Sequence, residues 1–169
     1  MRVLVLTTSA RIGAAWVDEL VDSLPVDDLD LRVVALTRPA ERLPVTRCLV
    51  VGASPRPFRA VRDLPTATGG PTTRPTPPGR AAKTADRILA RVLPAGRRKD
   101  RQLMLMTGTR WSRVVREEFA AADLVVAHDY NTTWAAWRLA RRIAGPDVVF
   151  QVEGASLKLA ERAERERSG

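Results

Sequence analysis

Three short segments of the chain carry side chains suited to a hydroxylated ligand: Thr7 to Gly13, His128 to Asn131, and Glu153 with Gly154. An imidazole can donate to or accept from a hydroxyl near neutral pH, and a carboxylate can bind or deprotonate one. His128 followed by Asp129 therefore offers the pair needed to hold and activate an alcohol. A lone His is more often structural, so the pair acquires chemical meaning only if the fold gathers further polar groups around it. The first segment, TTSARIG, adds the hydroxyls of Thr7, Thr8 and Ser9. They are followed by Arg11 and by Gly13, where the absence of a side chain lets a loop come close to a ligand.

What is missing narrows the chemistry. TTSARIG has no G-x-G-x-x-G, which disfavours a dinucleotide site, and no G-x-x-x-x-G-K-[ST] occurs anywhere to support P-loop chemistry. Cys48 is the only cysteine and His128 the only histidine, which excludes an internal disulfide framework and a Cys/His zinc cluster. The start, MRVLVLTTSA, has one Arg before a short apolar run and no small-residue cleavage site after it. It is expected to be a strand rather than a leader, with the cytoplasm as the compartment.

The elements that must position these residues alternate. Val3 to Leu6 is a short apolar run ending in polar residues, the pattern of a strand buried on both faces. Ile12, Trp16, Val17, Leu20, Val21 and Leu24 recur at helical spacing, with Asp18, Glu19 and Asp22 on the other face. Leu29 to Leu36 and Cys48 to Val51 predict a second and a third strand. Helical periodicity returns over Ala85 to Leu93, and again from Gln102 to Ala122 with a bend near Gly108. Leu124 to Ala127 is a fourth strand. Asn131 stands as the N-cap of a helix that Gly145 and Pro146 stop. Trp134 and Trp137, one turn apart on it, could stack on a sugar face, although packing against the sheet is the commoner fate of such a pair. Val148 to Val152 is a fifth strand, and residues 155–169 form a charged helix. Strands joined through helices imply a parallel sheet in a three-layer α/β domain, and the three candidate segments then converge beyond the carboxyl ends of its strands.

With 169 residues, 45% of them hydrophobic and 28% charged, the chain fits one soluble domain. Its +9 charge is uneven: residues 32–116 carry a net +15 while the segments on either side are acidic. Arg supplies 25 of the 28 basic residues, a bias that a GC-rich coding sequence alone would produce. Within the basic block, seven of the twelve prolines fall between Ser54 and Lys83, which predicts a long mobile Pro/Thr/Gly-rich loop. Arg87 and Arg91 flank the short helix, and Arg97, Arg98, Lys99 and Arg101 follow it. These six are the candidate contacts to phosphate or to an anionic membrane surface. Nucleic acid is disfavoured, because the block holds only Phe58 and Trp111 as aromatics and no recognisable motif.

Residues 122–154, ADLVVAHDYNTTWAAWRLARRIAGPDVVFQVEG, resemble a segment of the glycosyltransferase family 4 enzymes. That segment reads as aspartate, apolar strand, His-Ala-His-Asp, a helix rich in Ala and Arg, then a strand ending in Asp-x-His-Glu. The Met-Arg-apolar start, leading into a Gly-containing loop and helix, is similar as well. The resemblance implies the Rossmann-like N-terminal, acceptor-binding domain of a GT-B fold, with a parallel sheet of about five strands. It also implies His128 and Asp129 as the catalytic contacts to acceptor hydroxyl and transferred sugar. Ser9, Arg11, Gly13, Asn131 and Glu153 would bind the acceptor, with no metal held by the chain.

The sequence departs from the family pattern in three places. Val125-Val126-Ala127 lacks the first His, Ala10-Arg11-Ile12 stands where a Gly-Gly pair is common, and Gln151-Val152 replaces Asp-x-His before the Glu. The donor domain with its paired glutamates lies outside the resemblance. The expectation is therefore an acceptor subunit that transfers sugar only with a donor-domain partner holding the nucleotide sugar; a homo-oligomer is the other expected assembly. It would sit in the cytoplasm or peripherally at the inner face of the membrane. A non-catalytic binding or scaffolding protein is the alternative, with a flavodoxin-like or a nucleic-acid-binding domain ranked below it.

Overall fold

The structure, a computed structural model, describes residues 1–24, 26, 28–52, 61–67 and 100–168. The chain runs β1 (Arg2–Thr7), α1 (Ala14–Asp22), β2 (Asp30–Ala35), β3 (Arg47–Val50), β4 (Arg62–Leu64), α2 (Arg101–Trp111), α3 (Arg113–Ala120), β5 (Leu124–Ala127), α4 (Tyr130–Ala140), β6 (Asp147–Phe150) and α5 (Gln151–Ser168). The strands form one sheet in the order β4-β3-β2-β1-β5-β6, parallel throughout except for the antiparallel edge strand β4. This is a Rossmann-like α/β sheet.

Strand β1 lies at the centre because its side chains have apolar neighbours on both faces. Val3 and Val5 point into the layer shared with Val17 and Leu20 of α1 and Ala155 and Leu159 of α5. Leu4 and Leu6 point the other way, toward Leu105 of α2, Val115 and Phe119 of α3 and Ala136 of α4. The alternation is the period-two geometry of a strand, and burial on both sides turns it into a continuous apolar run. From β1 the chain moves outward through β2 and β3, then returns to place β5 on the other side of β1. The crevice between the carboxyl ends of β1 and β5 is thus the topological switch point, where open α/β sheets bind ligands.

Three local expectations are corrected. The stretch from Ser54 to Lys83 is not strand-free: Arg62–Leu64 pairs with β3, with Leu49 opposite Asp63. Arg47 of β3 donates to Asp63 through Nε and Nη2 at 3.0 and 2.7 Å, so a cross-strand ion pair pins a segment with little apolar pattern of its own. The long helix does not bend at Gly108. It breaks at Ser112, whose extended backbone ends α2 and whose Oγ accepts from the Val115 N–H to cap α3. Gly108 has another task, since a Cβ there would lie 1.9 Å from Cγ1 of Val51, and its bare backbone lets α2 press onto the end of β3. Finally, β6 stops at Phe150, so Glu153 does not end a strand but sits in the first turn of α5.

Cys48 faces the apolar layer beneath α1 and is 2% exposed. Burial, reinforced by the nearby Asp63 carboxylate, pushes its thiol up to about 12. A thiolate is the reactive form, so the native protein is expected to resist thiol reagents at neutral pH and to react with one equivalent only after unfolding in urea. Rapid stoichiometric labelling of the folded chain would contradict this packing.

A candidate cleft at the carboxyl end of the sheet

His128 leaves β5 still hydrogen-bonded to the sheet, its N–H donating to the Leu6 carbonyl at 3.0 Å. Asp129 then turns the chain into α4. Asp129, not Asn131, is the N-cap: its Oδ1 accepts from the Asn131 N–H at 3.0 Å, and its own N–H donates to Thr132 Oγ1 at 3.3 Å. The same carboxylate reaches back to β1. Oδ2 accepts from the Thr8 N–H at 2.6 Å and from Thr7 Oγ1 at 3.3 Å, while Oδ1 also accepts from Thr8 Oγ1 at 3.0 Å. Asn131 Nδ2 donates to Thr8 Oγ1 at 3.3 Å and closes the cluster. Both oxygens of Asp129 are thus engaged inside the protein, and the carboxylate clamps the ends of β1 and β5 together.

The imidazole of His128 has a different environment. Trp16 Nε1 donates to its Nε2 at 3.2 Å, with the two rings edge to face, 5.1 Å between centroids and 77° between planes. A neutral imidazole that accepts at Nε2 carries its proton on Nδ1. That Nδ1 is buried and makes no hydrogen bond among the described residues. Next to this pair opens a cleft of about 270 Å³, lined by Trp16, Glu19, Ser23, His128, Gln151 and Glu153 over an apolar floor.

The walls of the cleft are fixed from two sides. Ser156 Oγ of α5 donates to the Ser23 carbonyl at the end of α1 at 2.7 Å. The other wall hangs on Gln151, a non-glycine residue at φ 63°, where β6 passes directly into α5. A left-handed residue of this kind costs of order 1–2 kcal/mol and persists only where its surroundings hold it. The turn it makes puts Glu153 at the rim of the cleft, and the helix N-terminus favours a negative charge there.

The structure therefore brings His128 and Glu153 to the lining of one cleft, while Asp129, Asn131, Ser9 and Gly13 are engaged in contacts within the protein. Ser9 Oγ accepts from the Arg11 N–H at 3.2 Å within the first loop, and Arg11 is exposed. Gly13 faces the carboxylate of Glu41, whose Oε1 accepts from the Ala14 N–H at 2.7 Å. The close approach that glycine permits is taken by a side chain of the protein itself. Arg87, Arg91, Arg97, Arg98 and Lys99 lie outside the described residues, and Arg101 is an exposed residue at the start of α2.

Trp16, Glu19 and Gln151 were not among the site residues expected from sequence. Trp16 sits at core spacing on α1, and nothing in its sequence position shows that the indole edge faces His128. Trp134 and Trp137 do not pack fully against the sheet, being 47% and 46% exposed, with the guanidiniums of Arg138 and Arg141 at 5.8 and 5.0 Å from their respective ring centroids.

Among the described residues, no three His, Cys, Asp or Glu side chains form a group that could hold a metal ion. Nor is any helix among them long and apolar enough to cross a membrane. The chain matches no family model, no curated protein and no solved structure.

Proposed function

We propose that this Rossmann-like domain binds a polyhydroxylated molecule in the His128 cleft and is the acceptor-binding half of a GT-B-type glycosyltransferase. A separate donor-binding partner in the cytoplasm would supply the nucleotide sugar. One observation carries the reading: His128 is held by the Trp16 indole at the edge of a cleft whose polar groups are the carboxylates of Glu19 and Glu153, the Ser23 hydroxyl and the Gln151 amide. Carboxylates accept from hydroxyl groups, imidazole accepts or donates, and an indole covers the apolar face of a ring. With two carboxylates and no Arg or Lys among its described lining residues, the cleft favours a neutral, hydroxyl-rich ligand over an anionic one. An acceptor hydroxyl that displaces the indole N–H can give its proton to His128 Nε2, which is general-base chemistry at the place the resemblance implies. In this reading Asp129 is a positioning residue that sets the backbone of His128.

Saturation-transfer NMR with a panel of monosaccharides and cyclitols tests the proposal. At least one should bind, and His128→Ala should weaken it by roughly tenfold, the effect of losing one good hydrogen bond in a desolvated site, while Trp16→Phe, which only removes the N–H that the ligand displaces, should not weaken it. If no member of the panel binds, or if His128→Ala binds as the parent does, the cleft is not an acceptor site. A non-catalytic scaffold would then be the better description.

A further inference from the structure

We infer that the chain carries a second binding site, for a phosphate group, in the helical layer on the other face of the sheet. Here α2, α3 and α4 enclose a cavity of about 110 Å³ lined by Arg110, Arg116, Arg138 and Arg142, with Met106 and Leu139 in its apolar wall. At about 30 Å³ per water, this is the space of three or four waters, sufficient for one tetrahedral oxyanion. No carboxylate lines it among the described residues.

Arg110 and Arg138 are half-buried and Arg116 and Arg142 exposed, so an anion entering this space meets positive charge from all three helices, screened less on the protein side than it would be in water. Helix dipoles account for only part of the arrangement. Arg110 and Arg138 stand in the last turns of α2 and α4, where a cation is favoured. Arg116 lies in the middle of α3 and Arg142 beyond the end of α4, and neither makes an ion pair among the described residues. Arg138 adds the independent sign. Its guanidinium lies 5.8 Å from the Trp134 ring centroid, yet its Nε is buried and has no hydrogen-bond partner among the described residues. A buried donor on a charged group left without an acceptor is costly, and the Nε–H and Nη–H pair is the fork with which arginine grips phosphate.

The site is distinct in place and sign from the His128 cleft, which is lined by α1 and α5 and carries carboxylates. It does not depend on the acceptor reading. The ligand is a phosphate group, borne either by a soluble compound or by a lipid headgroup.

Calorimetric titration of the full chain with inorganic phosphate at constant ionic strength tests the inference, together with flotation on vesicles of phosphatidylcholine with and without phosphatidic acid. Saturable phosphate binding is expected, weakened by at least about tenfold in R116Q/R142Q, since each charged hydrogen bond lost is worth a factor of that order. R138K keeps the charge but loses the fork, and should weaken binding several-fold even if the double variant folds poorly. Phosphate binding without flotation identifies a soluble phosphate compound. Flotation that requires phosphatidic acid and is abolished by R116Q/R142Q identifies a lipid phosphate. Absence of both, or equal binding by parent, R116Q/R142Q and R138K, overturns the site.

Discussion

Replacing Glu118 with alanine is expected to lower the unfolding free energy by about 3–5 kcal/mol, the range for breaking a buried ion pair from one side. Glu118 reaches from α3 to the sheet, where Arg32 and Arg47 stand directly opposite each other on β2 and β3. Two like charges in register destabilise a sheet unless something lies between them. The Glu118 carboxylate does: Oε2 accepts from Arg32 Nη1 at 2.6 Å and Oε1 from Arg47 Nη1, and the side chain is only 7% exposed. Arg32 also binds Asp30, and Arg47 binds Asp63, so the ion pairs continue across four neighbouring strands from Arg2 to Asp63. Urea unfolding of the parent and of Glu118→Ala measures the loss; a change below about 1 kcal/mol, the value of a surface pair, would mean that the arginines find solvent instead.

Acid should act on the same network. Burial pushes the Asp30 carboxyl upward, but hydrogen bonds from Arg32, Thr46 and Arg2 outweigh it and hold the group down at about 2 against an ordinary 3.8. A depressed folded-state value means that the stabilisation is complete above the unfolded value and is lost as pH falls through the folded one. The contribution of Asp30 is therefore expected to persist at pH 5 and to disappear between about pH 4 and pH 2. Comparison of Asp30→Asn with the parent over that window reads it directly.

The second large effect belongs to Asp129. Asp129→Ala removes the cap of α4, worth about 1 kcal/mol, and leaves the Thr8 N–H and the Thr7 and Thr8 hydroxyls without their acceptor. Thr7 and Thr8 are 0% and 2% exposed, so water does not readily replace the carboxylate. The expected loss is about 3–4 kcal/mol, dominated by these buried orphaned donors. Asp129→Asn keeps an oxygen for part of the cluster and should recover roughly half of it. Urea curves for both variants, set beside their ligand affinities, separate positioning from direct contact. If Asp129 only positions His128, Asp129→Asn binds ligand nearly as the parent does at temperatures where it is folded; a variant that is stable but unable to bind would assign the carboxylate to the ligand instead.

How much of this could be read from sequence depends on the range of the interaction. Strands β1, β2, β3 and β5 are legible because burial on both faces writes a continuous apolar run, and α1 because its apolar residues recur at helical spacing. β4 is not legible, since a three-residue strand held by the Arg47–Asp63 pair has its cause in another part of the chain. Gly108 is conspicuous as a letter but misleads about its role, which is to remove a side chain from the path of Val51 rather than to bend a helix. At the cleft, His128 stood out as the only histidine, while its partner Trp16 had the spacing of a core residue. The Arg cavity was hidden for the same reason: Arg138 and Arg142 are visibly one turn apart, but Arg110 and Arg116 join them only through packing of separate helices.

The junction at Gln151 has a mechanical consequence. With no linker between β6 and α5, the helix is an extension of the sheet edge, and the Ser156 to Ser23 hydrogen bond ties it to α1 as well. The two jaws of the cleft are then tied to each other and to the sheet edge, with the Trp16 indole packed on the apolar core and hydrogen-bonded to His128. A cleft so tied is expected to keep its shape when a ligand enters, without the slow collective closure that joins two domains around a ligand.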